Sequence, residues 1–341
     1  MSPSLRPVAG EAAGLLPLVR SWVAGGGKPL IINTSGSSGK PKDVVLSHRA
    51  VMASATATHD RLGGPGQWLL ALPVTGVAGL QVLVRSILAG EEPLIADDHS
   101  SLAAAIAAMT GPRQYASLVP TQLHRLAASG ELSVLAALDA LLIGGASVSP
   151  TLIARARDAG INVVRTYGMS ETCGGCVYDG VPLDGARLRI TGDRQIHLAG
   201  PMLFDGYADS AETARVLANG WFATSDLGEF DADGKLRVLG RNDDVVISGG
   251  VNVSLPAVTE ALRALAGVED AFAVAVDDAE WGQRVVGCLV GEASLDAARD
   301  AVEAAGLPRT WAPRQLVIVG DLPLLPGGKV DRVSLQKQAG D

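Results

Sequence analysis

The sequence predicts an α/β protein in two domains: residues 1–242 form a large N-terminal domain of mainly parallel sheet flanked by helices, with a small β-rich subregion, and residues 243–341 form a small α+β domain. Three observations predict it. A chain of 341 residues is longer than one hydrophobic core usually organises. From Pro29 to Thr166, short apolar or β-branched runs alternate with stretches of helical period, as parallel strands joined by helical crossovers do. The pattern then changes to paired short strands around turn residues, and past Arg241 a second, shorter alternation begins.

The elements follow in order. Strands are predicted at residues 30–32, 68–72, 116–119, 141–143 and 161–164, where short apolar runs stand between helical patterns. Helices are predicted at residues 47–62, 77–89, 121–128 and 149–159, with polar caps such as Ser47 and Ser149. Residues 187–190 and 195–198 flank Gly192-Asp193, and residues 228–230 and 236–238 flank Asp231-Ala232-Asp233-Gly234, so two hairpins are expected. Beyond a boundary at Asn242-Asp243, strands near 272–276 and 285–290 alternate with helices near 254–266 and 295–305.

Composition narrows the function classes. With 48% hydrophobic and 19% charged residues the chain has enough apolar material for packed cores. Its formal charge of −8 gives no general attraction to nucleic acid or an anionic membrane, so an anionic ligand must be held locally. The start does not read as a signal peptide, because Arg20 interrupts the apolar run after Leu15. Residues 62–84 carry no charge and are long enough to span a bilayer, yet Pro65, Pro73, Gln67, Gln81 and five glycines suit a buried strand, turn and helix better. Cys173, Cys176 and Cys288 cannot make a disulfide framework, and free thiols suit a reducing cytoplasm. Cys173-Gly-Gly-Cys176 has redox spacing but no second pair for a zinc site.

The chemistry begins at Thr34-Ser35-Gly36-Ser37-Ser38-Gly39-Lys40-Pro41-Lys42, behind a predicted strand. Small residues let backbone N–H groups and hydroxyls close around phosphate oxygens, and the lysines add positive charge. Pro41 stands where a kinase-type loop needs a magnesium-binding Ser or Thr, and alone the segment also reads as a flexible turn. Further along stand Tyr167-Gly168-Met169-Ser170-Glu171-Thr172, Gly220 to Gly228 with Asp226, Gly240-Arg241-Asn242-Asp243-Asp244 before Ser248-Gly249-Gly250, and Leu324 to Arg332 with Lys329.

Five motifs in this order, from about Leu30 to about Leu335, resemble the adenylate-forming superfamily of acyl-CoA synthetases, luciferases and peptide-synthetase adenylation domains. That resemblance implies ATP, Mg²⁺ and CoA as ligands and a carboxylic acid as substrate. It implies that the loop from Thr34 through Ser35, Gly36, Ser37, Ser38, Gly39 and Lys40 to Lys42 holds the β- and γ-phosphates. Thr172 then contacts the α-phosphate, Glu171 helps bind magnesium, and Tyr167-Gly168 with Gly144-Gly145-Ala146 borders the adenine. Asp226 and Arg241 hydrogen-bond the ribose, although Asp226 also reads as a turn carboxylate and Glu171 as a helix-start residue. Lys329 carries the adenylation step, where an ammonium offsets the repulsion of two anions. Of the 28 basic residues only six are lysines, and Lys40, Lys42 and Lys329 all fall in motifs. The resemblance also implies that the small domain is mobile about Asp243, and that Gly249-Gly250 lines a pantetheine tunnel; a rigid linker is the other reading of Asp243.

The acid pocket of such enzymes is built partly from the segment matching residues 72–85. Thr75 and Gly76 belong to it, and Arg85 puts a guanidinium in an otherwise apolar helix. Snorkelling or an internal ion pair explains such a residue; a second carboxylate on the substrate is the functional explanation. Segment and short N-terminal portion together resemble the o-succinylbenzoate:CoA ligases of menaquinone biosynthesis, in which Arg85 would anchor the benzoate group. Gly76 replaces the His of many relatives and opens the pocket. Another aryl- or short-chain acyl-CoA ligase and a non-catalytic acyl-adenylate-binding protein are the competing readings. The sequence leaves the oligomeric state open and admits a homodimer.

Overall fold

In the computed structural model the described residues are 12–34, 42–325 and 330–340, leaving aside the side chains of Ala13 and Asp243. They divide into two compact units. The larger runs to Thr191 and adds Ile196–Thr224 and Phe230–Leu236; the smaller comprises Gly192–Gln195, Ser225–Glu229 and the chain from Arg237 on.

In chain order the first elements are α1 (Ala12–Gly25), β1 (Leu30–Thr34), β2 (Lys42–Leu46), α2 (His48–Arg61), β3 (Gln67–Leu70), α3 (Val77–Leu88) and β4 (Leu94–Ile95). Then come α4 (Leu102–Ala107), β5 (Gln114–Leu118), α5 (Pro120–Ala128), β6 (Ala140–Ile143), α6 (Pro150–Asp158), β7 (Val163–Met169), β8 (Gly174–Tyr178) and β9 (Val181–Pro182). These build a sheet of order β4-β3-β5-β6-β7-β8-β9, parallel from β4 to β7 and antiparallel from β7 to β9.

Alternate side chains along these strands serve opposite faces. Trp68, Leu70, Tyr115 and Leu142 join the core under α2 and α3, whereas Leu69, Ala116, Leu141 and Ile143 join the core with α5 and α6. Burial on both faces is why β3 and β6 are buried at every residue and read as continuous apolar runs. Ser47 and Ser149 cap α2 and α6 as expected, accepting from Ala50 N at 3.4 Å and Leu152 N at 3.0 Å.

One expectation changes. The predicted strand at residues 30–32 does not join the parallel sheet: β1 pairs antiparallel with β2, Leu30 opposite Leu46 and Thr34 opposite Lys42. Only residues 35–41 separate the two strands, too few for a crossover, so the return is a hairpin. The strand β2 itself was not anticipated. Residues 62–84 form β3, a turn and α3, and among the described residues no helix is long and apolar enough to cross a membrane.

The chain continues through β10 (Arg187–Ile190), β11 (Gln195–Ala199), β12 (Gly206–Tyr207), α7 (Ser210–Val216), β13 (Leu217–Ala218), β14 (Trp221–Phe230) and β15 (Leu236–Arg241). Arg187 to Ile190 pair antiparallel with Ile196 to Ala199, and Asp231 N donates to Lys235 O across the turn from β14 to β15, so both predicted hairpins form. β12 adds to β2, with Tyr207 opposite Val44.

The smaller unit holds β16 (Val245–Ser248), β17 (Val251–Ser254), α8 (Leu255–Arg263), β18 (Val268–Asp278), β19 (Gly282–Gly291), α9 (Leu295–Ala304), β20 (Gln315–Ile318) and α10 (Arg332–Gly340). Its sheet runs β17-β16-β19-β18, with β20 parallel to β19. Ala271, Ala273 and Ala275 pack with α8 and α9, while Val274 and Val276 pack with Leu335 and Ala339 of α10.

Candidate nucleotide and acid site

The parallel strands place the candidate residues of the larger unit. Thr75 and Gly76 follow β3, Gly144, Gly145 and Ala146 follow β6, and Tyr167 and Gly168 close β7, so all stand at the carboxyl ends of parallel strands, where open α/β sheets bind ligands. Gln122, behind β5, ties two of these loops: its Nε2 donates to Ala71 O at 2.7 Å and its Oε1 accepts from Val119 N at 3.0 Å. A Cβ at Gly168 would stand 2.1 Å from Gly174 O, so only glycine lets β7 and β8 approach this closely. Gly76 is different: a Cβ there meets only Pro73 O, at an ordinary contact distance of 3.6 Å, so no clash requires glycine.

After β7 the chain makes one tight turn, Ser170–Thr172, and Cys173 follows in the left-handed region at φ 52°. The buried Thr172 hydroxyl locks it, accepting from Met169 N at 2.9 Å and donating to Gly174 O at 2.7 Å. Ser170 and Glu171 stay partly exposed. Glu171 is held by its backbone, which accepts from Phe204 N at 2.9 Å, and by Tyr207, whose phenol donates to Oε1 at 2.8 Å. Lys42 Nζ lies 4.9 Å from the centre of the Tyr207 ring and 3.4 Å from Glu212. Thr34, opposite Lys42, donates to its carbonyl at 3.3 Å. The rest of the predicted phosphate loop, Ser35, Gly36, Ser37, Ser38, Gly39 and Lys40, lies outside the described residues.

Arg85 does not snorkel, and among the described residues it forms no ion pair. It is 3% exposed, its guanidinium lies over Trp68 at 5.0 Å, and among the described residues no carboxylate stands within 4.0 Å and Nε has no hydrogen-bond partner. Burial lowers its pKa, and the neighbouring Tyr178 opposes that shift. An uncompensated charge in such a place costs several kcal/mol. The guanidinium reaches Gly174, where a Cβ would stand 3.8 Å from Nη2, so helix α3 touches the chain just behind the Glu171 turn.

Burial, and then the Arg85 charge, push His59 down from 6.5 to about 4, and its Nε2 accepts from Trp68 Nε1 at 3.4 Å. The folded pKa lies below the unfolded value, so this contribution to stability is full above pH 6.5 and is lost as pH falls towards 4. Thermal melts should therefore drop over that window, and His59→Gln, which keeps an acceptor for Trp68, should flatten the drop. Parallel declines in both proteins would refute this. Cys173 and Cys176 are buried and protonated at neutral pH: burial raises both thiols, Cys176 to about 12.

In the smaller unit Asp226, 6% exposed, pairs with Arg241 at 3.4 Å. Asp243 lies in the short turn Asn242–Asp244, and the adjacent Asp244 pairs with Arg332 Nη2 at 2.6 Å. Gly249 and Gly250 form the tight turn between β16 and β17 at φ 58° and 79°; a Cβ on Gly249 would lie 2.4 Å from the Trp281 ring. Lys329 lies outside the described residues.

Comparison with known proteins matches this layout. The profile of AMP-binding enzymes matches residues 29–207, and that of the AMP-binding enzyme C-terminal domain matches residues 257–329. This chain belongs to the AMP-binding enzyme family. Within the family it is 44% identical over 322 residues, 91% of this chain and 84% of the relative, to a probable 2-succinylbenzoate–CoA ligase of Mycobacterium tuberculosis. It is 27% identical to the 2-succinylbenzoate–CoA ligase of Enterococcus faecalis, covering 88% of this chain and 67% of the relative. The solved o-succinylbenzoate CoA synthetase of Bacillus subtilis, in complex with its acyl-adenylate intermediate, superimposes with a TM-score of 0.75 at 26% identity over 90% of this chain and 68% of that one.

Some residues that hold the candidate site together escaped sequence reasoning. Tyr207, Ser54 and Gln81 act through contacts far apart in sequence, and no motif marks them. Thr172 was expected to face a phosphate, yet its hydroxyl is buried and spent on backbone, whereas Ser170 in the same turn is partly exposed.

Proposed function

We propose that this chain is an ATP- and Mg²⁺-dependent acid:CoA ligase that converts o-succinylbenzoate and CoA to o-succinylbenzoyl-CoA in menaquinone biosynthesis, through an acyl-adenylate. Arg85 carries the choice of acid: a buried guanidinium with no carboxylate partner among the described residues, on the helix behind Thr75 and Gly76, calls for an anion from outside. A substrate with two carboxylates supplies one there and keeps the other for reaction. The names of the relatives support the same acid.

In this reading the reacting carboxylate oxygen attacks the α-phosphorus of ATP and pyrophosphate leaves. The thiol of CoA then attacks the acyl carbon, and AMP leaves. Glu171 fits a magnesium site, because Tyr207 takes one oxygen of a partly exposed carboxylate and Mg²⁺ needs few protein ligands beside phosphates. When bound, Mg²⁺ neutralises phosphate charge. Thr34 to Lys42 serve the outer phosphates, and Ser170 takes the α-phosphate contact first assigned to Thr172. Tyr167, Gly168 and Gly144 to Ala146 border the adenine, Asp226 and Arg241 serve the ribose, and Lys329 the adenylation step. Asp243 is the hinge between the domains 1–242 and 243–341, and Gly249-Gly250 admits the pantetheine arm. The reaction belongs in the cytoplasm, where ATP and CoA are available.

A panel of acids with ATP, Mg²⁺ and CoA tests the proposal. Turnover of o-succinylbenzoate well above benzoate and octanoate is expected. Preference for either monoacid would replace the substrate, and pyrophosphate release with none would favour a binding protein.

A further inference from the structure

The turn that presents Ser170 and Glu171 is followed by a non-glycine residue, Cys173, at φ 52°, a conformation that L residues avoid. Something must hold it. The Cys173 carbonyl accepts two buried side-chain hydrogen bonds, from Gln81 Nε2 at 2.8 Å and Ser54 Oγ at 2.9 Å. The same Gln81 nitrogen donates to Val51 O at 3.2 Å, so one amide on α3 fastens both α2 and the turn. Flipping that amide would set its oxygen against two carbonyl oxygens, so the orientation is fixed.

Gln81 is 1% exposed, and among the described residues its Oε1 has no donor. A purely apolar side chain would leave no orphan here, so stability alone does not account for an amide. Gln81 also stands one helical turn before Arg85, and both side chains approach Gly174.

We propose that Gln81 is a positioning residue of the nucleotide site: with Ser54 it holds the Cys173 carbonyl, and through it the turn that aims Ser170 and Glu171 at the phosphates and their magnesium. This rests on the adenylation reading above. Arg85 recognises the acid; Gln81 sets the geometry in which the bound acid meets the nucleotide.

Titration calorimetry of the full chain with ATP and Mg²⁺, without acid, tests the clamp. Gln81→Met removes both donated bonds while keeping bulk, and its dissociation constant for MgATP is expected to rise about tenfold. Ser54→Ala, the milder change, is expected to raise it less. In acid-dependent pyrophosphate release, Gln81→Met should lower kcat with little change in the KM for the acid. Unchanged MgATP affinity in both variants, even with lower melting temperatures, would reduce the amide to a structural bond and overturn the proposal. Should Gln81→Met fail to fold, Ser54→Ala decides alone. If the parent protein binds MgATP but releases no pyrophosphate with o-succinylbenzoate, the acid assignment falls and the clamp is still judged by affinity; unchanged affinities remove the clamp and leave the acid assignment standing.

Discussion

Arg85→Met is expected to raise the KM for o-succinylbenzoate by roughly thirtyfold to several thousandfold, because truncating one partner of a buried charge pair costs about 2–5 kcal/mol. The same substitution should leave the melting temperature of the ligand-free protein unchanged or raise it. Both expectations follow from one observation: the guanidinium is buried over Trp68 with no carboxylate partner among the described residues. Without acid it is a cost, so an apolar side chain of similar length removes a penalty. With acid it is the counter-charge, so the same change removes binding energy. A structural arginine behaves in the opposite way, losing stability on substitution while the KM stays put, and that pattern would end the anchor hypothesis. His59 gives a second readout: Arg85 is the second cause of its low pKa, so loss of the charge should move the His59 titration, followed by NMR, upwards towards 6.5.

The elements that sequence reasoning located are those where one local signal suffices. β3, β5 and β6 are buried on both faces, so their apolar runs stand out between helices that begin at Ser47 and Ser149. β2 was missed because Lys42 and Asp43 open it beside a glycine-rich loop, and its burial depends on pairing with β1 and β12. β8 was missed because Gly174, Gly175 and Cys176 carry little strand propensity, and what holds them is the close approach of Gly168. The same division runs through the site. Glu171 and Asp226 were singled out by the motifs around them, and Arg85 because a charge in an apolar helix needs a reason. Tyr207 and Gln81 were not: each is an ordinary residue in its own segment, and only the fold brings the Tyr207 phenol to Glu171 and the Gln81 amide to Cys173. Ser170 and Thr172 show a similar limit: two hydroxyl residues two positions apart are equivalent in sequence until burial separates them, Thr172 buried and Ser170 partly exposed.

Lys329→Ala is expected to slow acid-dependent pyrophosphate release by roughly 10²- to 10³-fold, the range for removing one preorganised charge from a developing anion. Two anions meet in this step, and the negative charge on the α-phosphate oxygens rises as the carboxylate bonds to phosphorus. An ammonium that matters there stabilises the transition state more than the ground state, so kcat and kcat/KM should fall together while the dissociation constant for MgATP stays close to that of the parent. This separates Lys329 from Gln81, whose loss should show in MgATP affinity, and from Arg85, whose loss should show in the KM for the acid. The second half-reaction makes the test sharper. Supplied with preformed o-succinylbenzoyl-adenylate and CoA, the Lys329→Ala protein should form the thioester near the parent rate, because in the proposed reading rotation about Asp243 carries Lys329 away before the thiol attacks, and the charge that AMP gains as it leaves is not met by this ammonium. Equal slowing of both halves would instead mean a damaged fold, and undiminished adenylate formation would remove Lys329 from the chemistry.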